Sequence, residues 1–237
     1  MVVDNAHDDS FEFHLQAPQN GERKGRGTQF VTVFADKVAE SIAENQILGF
    51  NCKDRGNTQP NGQSCLIASM VASARGMGTA SVEFAPSVDQ LFARAQQMGI
   101  VDRFGIDPRR ADEITLLSTE VGLQPEFKNY YPNDMSVTDI ESLANTVVEA
   151  LKIGSGIAVL IPASKHYVLL HGVSKEGMRV YDPLTGSDEI RTFESVATNI
   201  GNIVNGEMLG ERYTGNGFIV LNSVKKSDDD FVIHARS

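Results

Sequence analysis

The sequence predicts an α+β protein in which helices come first and an antiparallel sheet follows. Three observations carry this reading. Up to about residue 152 the apolar residues recur at helical spacing. From Gly156 onward the pattern turns to short apolar runs bounded by turn residues, as strands require. Between the segments stand residues that start and stop helices: Ser87 and Pro108 at starts, Gly49, Gly122 and Gly154 at ends. The 237 residues show no internal repeat and suit one domain with an extension.

Taken in order, residues 1–28 are polar and turn-rich, with a basic patch at Arg23, Lys24 and Arg26. They read as a flexible leader, and a secretion signal or pro-segment is the functional form such a segment would take. The folded domain is expected over 29–225, with a polar tail over 226–237. From Thr28 to about Gln46, Phe30, Phe34, Val38 and Ile42 form one helical stripe. An approach loop, 51–62, leads to Cys65, which opens an apolar helix ending near Gly76 to Gly78. Its Ala68, Ser69, Ala72, Ser73 and Ala74 permit close approach of other backbone, as in a buried central helix. Helices are expected over Ser87–Met98, with Leu91, Ala95 and Met98 inward, and over Pro108–Val121. Residues 125–134 read as loop with an exposed Tyr130-Tyr131-Pro132, and Val137–Lys152 as helix. Gly156–Pro162, His166–Val173, Met178–Asp182 and Gly217–Asn222 read as strands, with a helix around Thr192–Ile200.

Composition removes several classes of function. A formal charge of −10 argues against nonspecific binding to nucleic acid or an anionic membrane. No run approaches the length of a membrane-spanning helix, and the acidic N-terminus lacks the regions of a secretory signal. Two cysteines, Cys52 and Cys65, indicate no disulfide framework. A reducing interior is the expected compartment, with translocation into a target cell by a dedicated secretion system as the other route. Cys52 lies in a loop without the short-spaced Cys or His a metal site needs, so no metal and no cofactor is expected.

The candidate chemistry centres on Cys65. Turn residues Asn57, Pro60, Asn61 and Gly62 deliver it to the start of a helix, where unpaired backbone N–H groups and the helix dipole favour a thiolate. Gln59, six positions upstream, is close enough to point an amide at an oxyanion beside the sulfur. His166 and Asp182 lie on successive predicted strands. A three-residue loop over 174–176 would pair Val173 with Gly177 and set Val168 opposite Asp182. His166 and Asp182 are then diagonal neighbours on one face. A loop of even length with no bulge would send them to opposite faces, so the reading requires an odd loop or a bulge. His171, the rival base, falls on the other face from His166.

These residues resemble a known family. The Gln-x5-Cys spacing of Gln59 and Cys65, the His-Tyr-Val at His166, and Val-Tyr-Asp-Pro-x-x-Gly ending at Gly186 look like the papain-like peptidases that cut bacterial leader peptides after a double glycine. Phe104-Gly-Ile-Asp-Pro and Glu120-Val-Gly-Leu resemble that group's middle region, and the likeness spans roughly 55–222. It implies a papain-like fold, with the nucleophile helix packed on an antiparallel sheet carrying His and Asp. It also implies Cys65 as nucleophile, His166 as general base, Asp182 as orienting carboxylate and Gln59 as oxyanion donor. The chain departs from the family in having Leu66 after the nucleophile where Gly is usual, a longer gap to the histidine, and no transporter segment following.

The function expected is that of a cysteine protease acting on a protein or peptide substrate, as a stand-alone bacterial effector or toxin, with an inhibitor or immunity protein as a further partner. The same four residues equally suit a glutamine deamidase or transglutaminase, and an inherited fold could serve as an inactive binding module.

Overall fold

The computed structural model describes residues 21–44, 46–52, 58–79, 86–103, 105–107, 109–128, 135–161, 166–204 and 217–224. Helix α1 spans Gly21–Glu40, earlier at both ends than the 28–46 expected. At its end the Ser41 N–H is shared between the Lys37 and Val38 carbonyls, and its Oγ also donates to the Lys37 carbonyl. The expected stripe holds, since Phe30, Phe34, Val38 and Ile42 are all buried. Residues 1–20 and 225–237, most of the expected leader and all of the expected tail, lie outside the described residues. Strand β1 (Leu48–Gly49) follows where only a helix end was read.

Helix α2 (Cys65–Met77) begins and ends where the sequence placed it, with Gly78 in the left-handed conformation at its end. Helix α3 (Val88–Gln97) starts from a reciprocal cap between Ser87 and Gln90. A small hairpin of β2 (Val101–Asp102) and β3 (Gly105–Ile106) precedes α4 (Ala111–Glu120). That helix starts later than Pro108 because Asp107 closes a turn first, accepting from the Arg109 and Arg110 amides. Strand β4 (Leu123–Phe127) occupies part of the segment read as loop. Its Pro125 hid the strand, yet a proline is tolerated on an edge, and β4 is an end strand of its sheet. Residues 129–134, with Tyr130-Tyr131-Pro132, lie outside the described residues.

Helix α5 (Val137–Lys152) matches its expected bounds, and strand β5 (Gly156–Ile161) covers the expected run except Pro162, which lies outside the described residues. Then come β6 (His166–Ser174), β7 (Gly177–Asp182), an unexpected β8 (Ser187–Arg191), α6 (Phe193–Val204) and β9 (Phe218–Ser223).

Apart from the β2–β3 hairpin, the strands form one antiparallel sheet in the order β4-β9-β5-β6-β7-β8, with β1 pairing β6 beyond the end of β5. Side chains of the central strands alternate between two apolar layers. Ala158, Leu160, Tyr167, Leu169, Tyr181 and Ile219 join the core built with α2, α3 and α4. Ile157, Val159, Val168, Leu170, Val180 and Phe218 join the core built with α1, α5 and α6. Coverage on both faces is why β5 reads as an unbroken apolar run. Helix α2 lies close on its layer: a Cβ added at Gly156 would stand 2.4 Å from Ser73 Oγ. This is the α+β arrangement expected, with the cysteine helix packed on an antiparallel sheet carrying the histidine and the aspartate.

The β6–β7 hairpin corrects one expectation and meets another. Ser174 pairs with Gly177, so the loop is two residues rather than three. A bulge between Leu170 and Gly172 then shifts the register, and Leu170 pairs with Val180 and Leu169 with Tyr181. Continuing that register sets Val168 opposite Asp182, as the reading required, by a bulge instead of an odd loop.

Candidate active site

Cys65 is the first residue of α2, a free thiol, and almost fully buried. The first helical bond runs from the Ala68 amide to the Ser64 carbonyl at 2.9 Å, so the amides of Cys65, Leu66 and Ile67 stand outside the ladder. Ser64 does not cap them, because its Oγ turns away to the Asn61 carbonyl at 3.1 Å. No acidic side chain sits in the first turn. Uncapped N–H groups and an uncompensated positive dipole end therefore converge at the thiol.

His166 opens β6 and Asp182 ends β7. The ring Nε2 lies 2.7 Å from Asp182 Oδ1. The Cys65 side chain hydrogen-bonds the same imidazole, which leaves Nδ1 as the nitrogen for the thiol. Both partners are mostly buried, at 12% and 16% side-chain exposure. Burial opposes charge on His166, but the hydrogen bonds to Asp182 and Cys65 and their charges outweigh it and push its pKa up to about 9. Burial likewise pushes the Asp182 carboxyl up. His166, the Leu184 amide and Arg191 together bring it below its ordinary value. The Leu184 N–H donates to Oδ1 at 2.8 Å, an Asx turn built by Asp182-Pro183-Leu184 that fixes the carboxylate plane.

Gln59 joins this group through the backbone, its N–H donating to the Pro183 carbonyl at 2.8 Å. Its side chain is buried; Nε2 donates to Asn61 O at 2.7 Å, and Oε1 has no partner among the described residues. Gly186 lets the two loops approach. It sits at φ 70°, and a Cβ there would come within 2.9 Å of Thr58 Oγ1. Tyr181, beneath, hydrogen-bonds Thr58.

The structure thus brings together the four residues singled out from the sequence: Cys65, His166, Asp182 and Gln59. His171 stands apart, buried, with its ring nitrogens on the Phe50 carbonyl and Asp188. Cys52 is a free cysteine in a loop, as expected, with its side chain buried in the core. Sequence reasoning missed the supporting contacts of Asn61, Tyr181 and Leu184. For Asn61 the signal was present in Pro60-Asn61-Gly62, a turn whose carbonyl gathers bonds from Gln59 and Ser64. Among the described residues no cluster of His, Cys, Asp or Glu could hold a metal ion, and no helix is long and apolar enough to cross a membrane.

No family model and no curated protein matches the chain. Among solved structures the chain is similar to a crystal structure of a double glycine motif protease from an AMS/PCAT transporter in complex with the leader peptide. The match has 18% identity and a TM-score of 0.42, covering 70% of this chain and 86% of that one.

Proposed function

We propose that this protein is a cysteine peptidase with Cys65 as nucleophile, His166 as general base, Asp182 as orienting carboxylate and Gln59 as oxyanion donor, in a single catalytic domain over 29–225. The observation that carries the reading is His166 held between two partners, the Cys65 thiol on one side and Asp182 Oδ1 at 2.7 Å on the other. That is the arrangement nucleophilic catalysis by a thiol needs.

His166 Nδ1 takes the Sγ proton, and the thiolate attacks the carbonyl carbon of a peptide bond. The oxyanion is met by the Cys65 backbone N–H and by the second Nε2 hydrogen of Gln59, the first being spent on Asn61. His166 then gives its proton to the leaving amine, and the C–N bond breaks. Water, activated by the same imidazole, hydrolyses the thioester and regenerates the thiol. Throughout, Asp182 fixes the ring and stabilises the imidazolium. The substrate class is a protein or peptide. Cleavage after Gly-Gly is the form of specificity toward which the motif resemblance points.

Iodoacetamide labelling at neutral pH, mapped by peptide mass spectrometry, tests the assignment. Cys65 should label in preference to Cys52, and His166→Gln should abolish that preference. Equal labelling of the two thiols, or an unreactive Cys65, would remove the nucleophile from the account.

A further inference from the structure

Strand β6 is apolar on both faces. Tyr167 and Leu169 pack in the layer of α2, and Val168 and Leu170 in the layer of α1, α5 and α6. A slip of one residue would exchange these pairs and leave apolar burial nearly unchanged, so hydrophobic patterning does not choose the register here. Yet the register decides whether His166 meets Asp182. With the two-residue loop and an unbroken ladder, Leu170 would pair with Tyr181 and Leu169 with Asp182, and the histidine would face away.

The polar contacts at the bulge make the choice. His171 is fully buried, Nδ1 2.7 Å from the Phe50 carbonyl and Nε2 2.9 Å from Asp188 Oδ1. A carbonyl only accepts, so Nδ1 carries the hydrogen. The other Asp188 oxygen accepts from the Arg179 guanidinium at 2.8 Å. The Phe50 amide returns a bond to the His171 carbonyl at 2.9 Å. Phe50 is itself fixed, its ring 5.6 Å from the imidazole and so close to α2 that a Cβ on Gly76 would meet it at 2.1 Å. Gly49, at φ 103°, allows the approach, since a Cβ there would stand 2.1 Å from His171 O. The surplus residue of β6 is thereby tied to the segment after β1 and, across β7, to β8. A slip would strip both partners from a buried imidazole and leave a buried carbonyl unpaired.

We propose that His171 is a positioning residue for the Cys65 site, which holds the extra residue of β6 at the bulge and so selects the register that brings His166 to Asp182. This rests on the reading of His166 and Asp182 as base and orienting carboxylate. It assigns His171, the rejected rival base, a role through geometry rather than contact with substrate.

Proton NMR of protein labelled with 15N-histidine tests it. The wild type should show a downfield imidazole N–H from His166, identified by its loss in His166→Gln. His171→Val, shown to be folded by circular dichroism and a cooperative melt, should lose that His166 signal and the preferential labelling of Cys65. A folded His171→Val that keeps both would overturn the proposal. If this variant does not fold, deletion of His171 decides, because removing the surplus residue lets a regular ladder pair Leu170 with Val180 and Gly172 with Arg179. The deletion variant should be folded with the His166 signal present; an unfolded protein, or a folded one without the signal, overturns the proposal. The NMR readout is independent of activity. A wild type lacking peptidase activity but showing this pattern would refute the proposed function and leave the register assignment standing.

Discussion

Replacing Asp182 by Asn keeps the side-chain shape and leaves an oxygen for the Leu184 amide, but removes the negative charge 2.7 Å from His166. The shift of His166 from 6.5 to about 9 is a net stabilisation of the imidazolium. At 1.36 kcal/mol per unit it amounts to about 3 kcal/mol, after burial has been overcome. Hydrogen bonds to charged groups contribute roughly 1.5–3 kcal/mol, so Asp182 accounts for about one to two of those units. In Asp182→Asn the imidazole should therefore titrate roughly one to two units lower, near pH 7–8. At pH 8.5 the protonated fraction would fall from about three quarters to about a tenth for a shift of one and a half units. The assay is a titration of the His166 ring resonances, assigned with His166→Gln. The high-pH limb of any peptidase profile should move down with it, because the imidazolium is the acid for the leaving amine. A His166 that still titrates near pH 9 in Asp182→Asn would refute the reasoning, since Asp182 could not then be a source of the shift.

Further consequences follow from the same geometry. Because the folded pKa of His166 lies above its unfolded value, its contribution to stability is complete below about pH 6.5 and is lost as pH rises through about 9. Thermal melts should fall across that window, less steeply in Asp182→Asn. Gln59→Ala should lower kcat by roughly 10²–10³ with little effect on the melt, as expected for loss of one oxyanion donor; an unchanged kcat would exclude that role. Gly186→Ala meets an unfavourable φ of 70° and the Thr58 hydroxyl. It should cost about 1 kcal/mol or more in chemical denaturation and lower activity through the Gln59 loop. Cys65→Ala should abolish hydrolysis, whereas Cys52→Ala should retain it.

The features legible in the sequence were those that leave a local chemical trace. The small residues of α2, with Gly78 behind them, announced a buried helix. The Ser87 cap starts its helix in the usual way, and the apolar run of β5 belongs to a strand covered on both sides. The register of His166 and Asp182 was legible only as a condition. Ser-Lys-Glu-Gly does not declare its loop length, and Gly177, read as the partner of Val173, pairs with Ser174 as the first residue of β7. The bulge then depended on contacts with Phe50 and Asp188, 121 and 17 positions from His171, which no local pattern encodes. Short strands were hidden for similar reasons. β1 has two residues, β4 contains a proline, and β8 alternates weakly because it lies at the sheet's edge. At the site, Cys65 could be placed from its position before a helix, while the Asn61 carbonyl hub and the Leu184 amide under Asp182 required the folded loops.

The most direct test of peptide-bond hydrolysis at Cys65 is mass-spectrometric labelling of new N-termini in a lysate treated with wild type or with Cys65→Ala. The account predicts termini that appear only with the wild type and share a sequence motif before the cut, Gly-Gly if the specificity follows the motif resemblance. No new termini, together with Gln residues gaining about one dalton, would contradict it and assign the same thiol to side-chain amide chemistry.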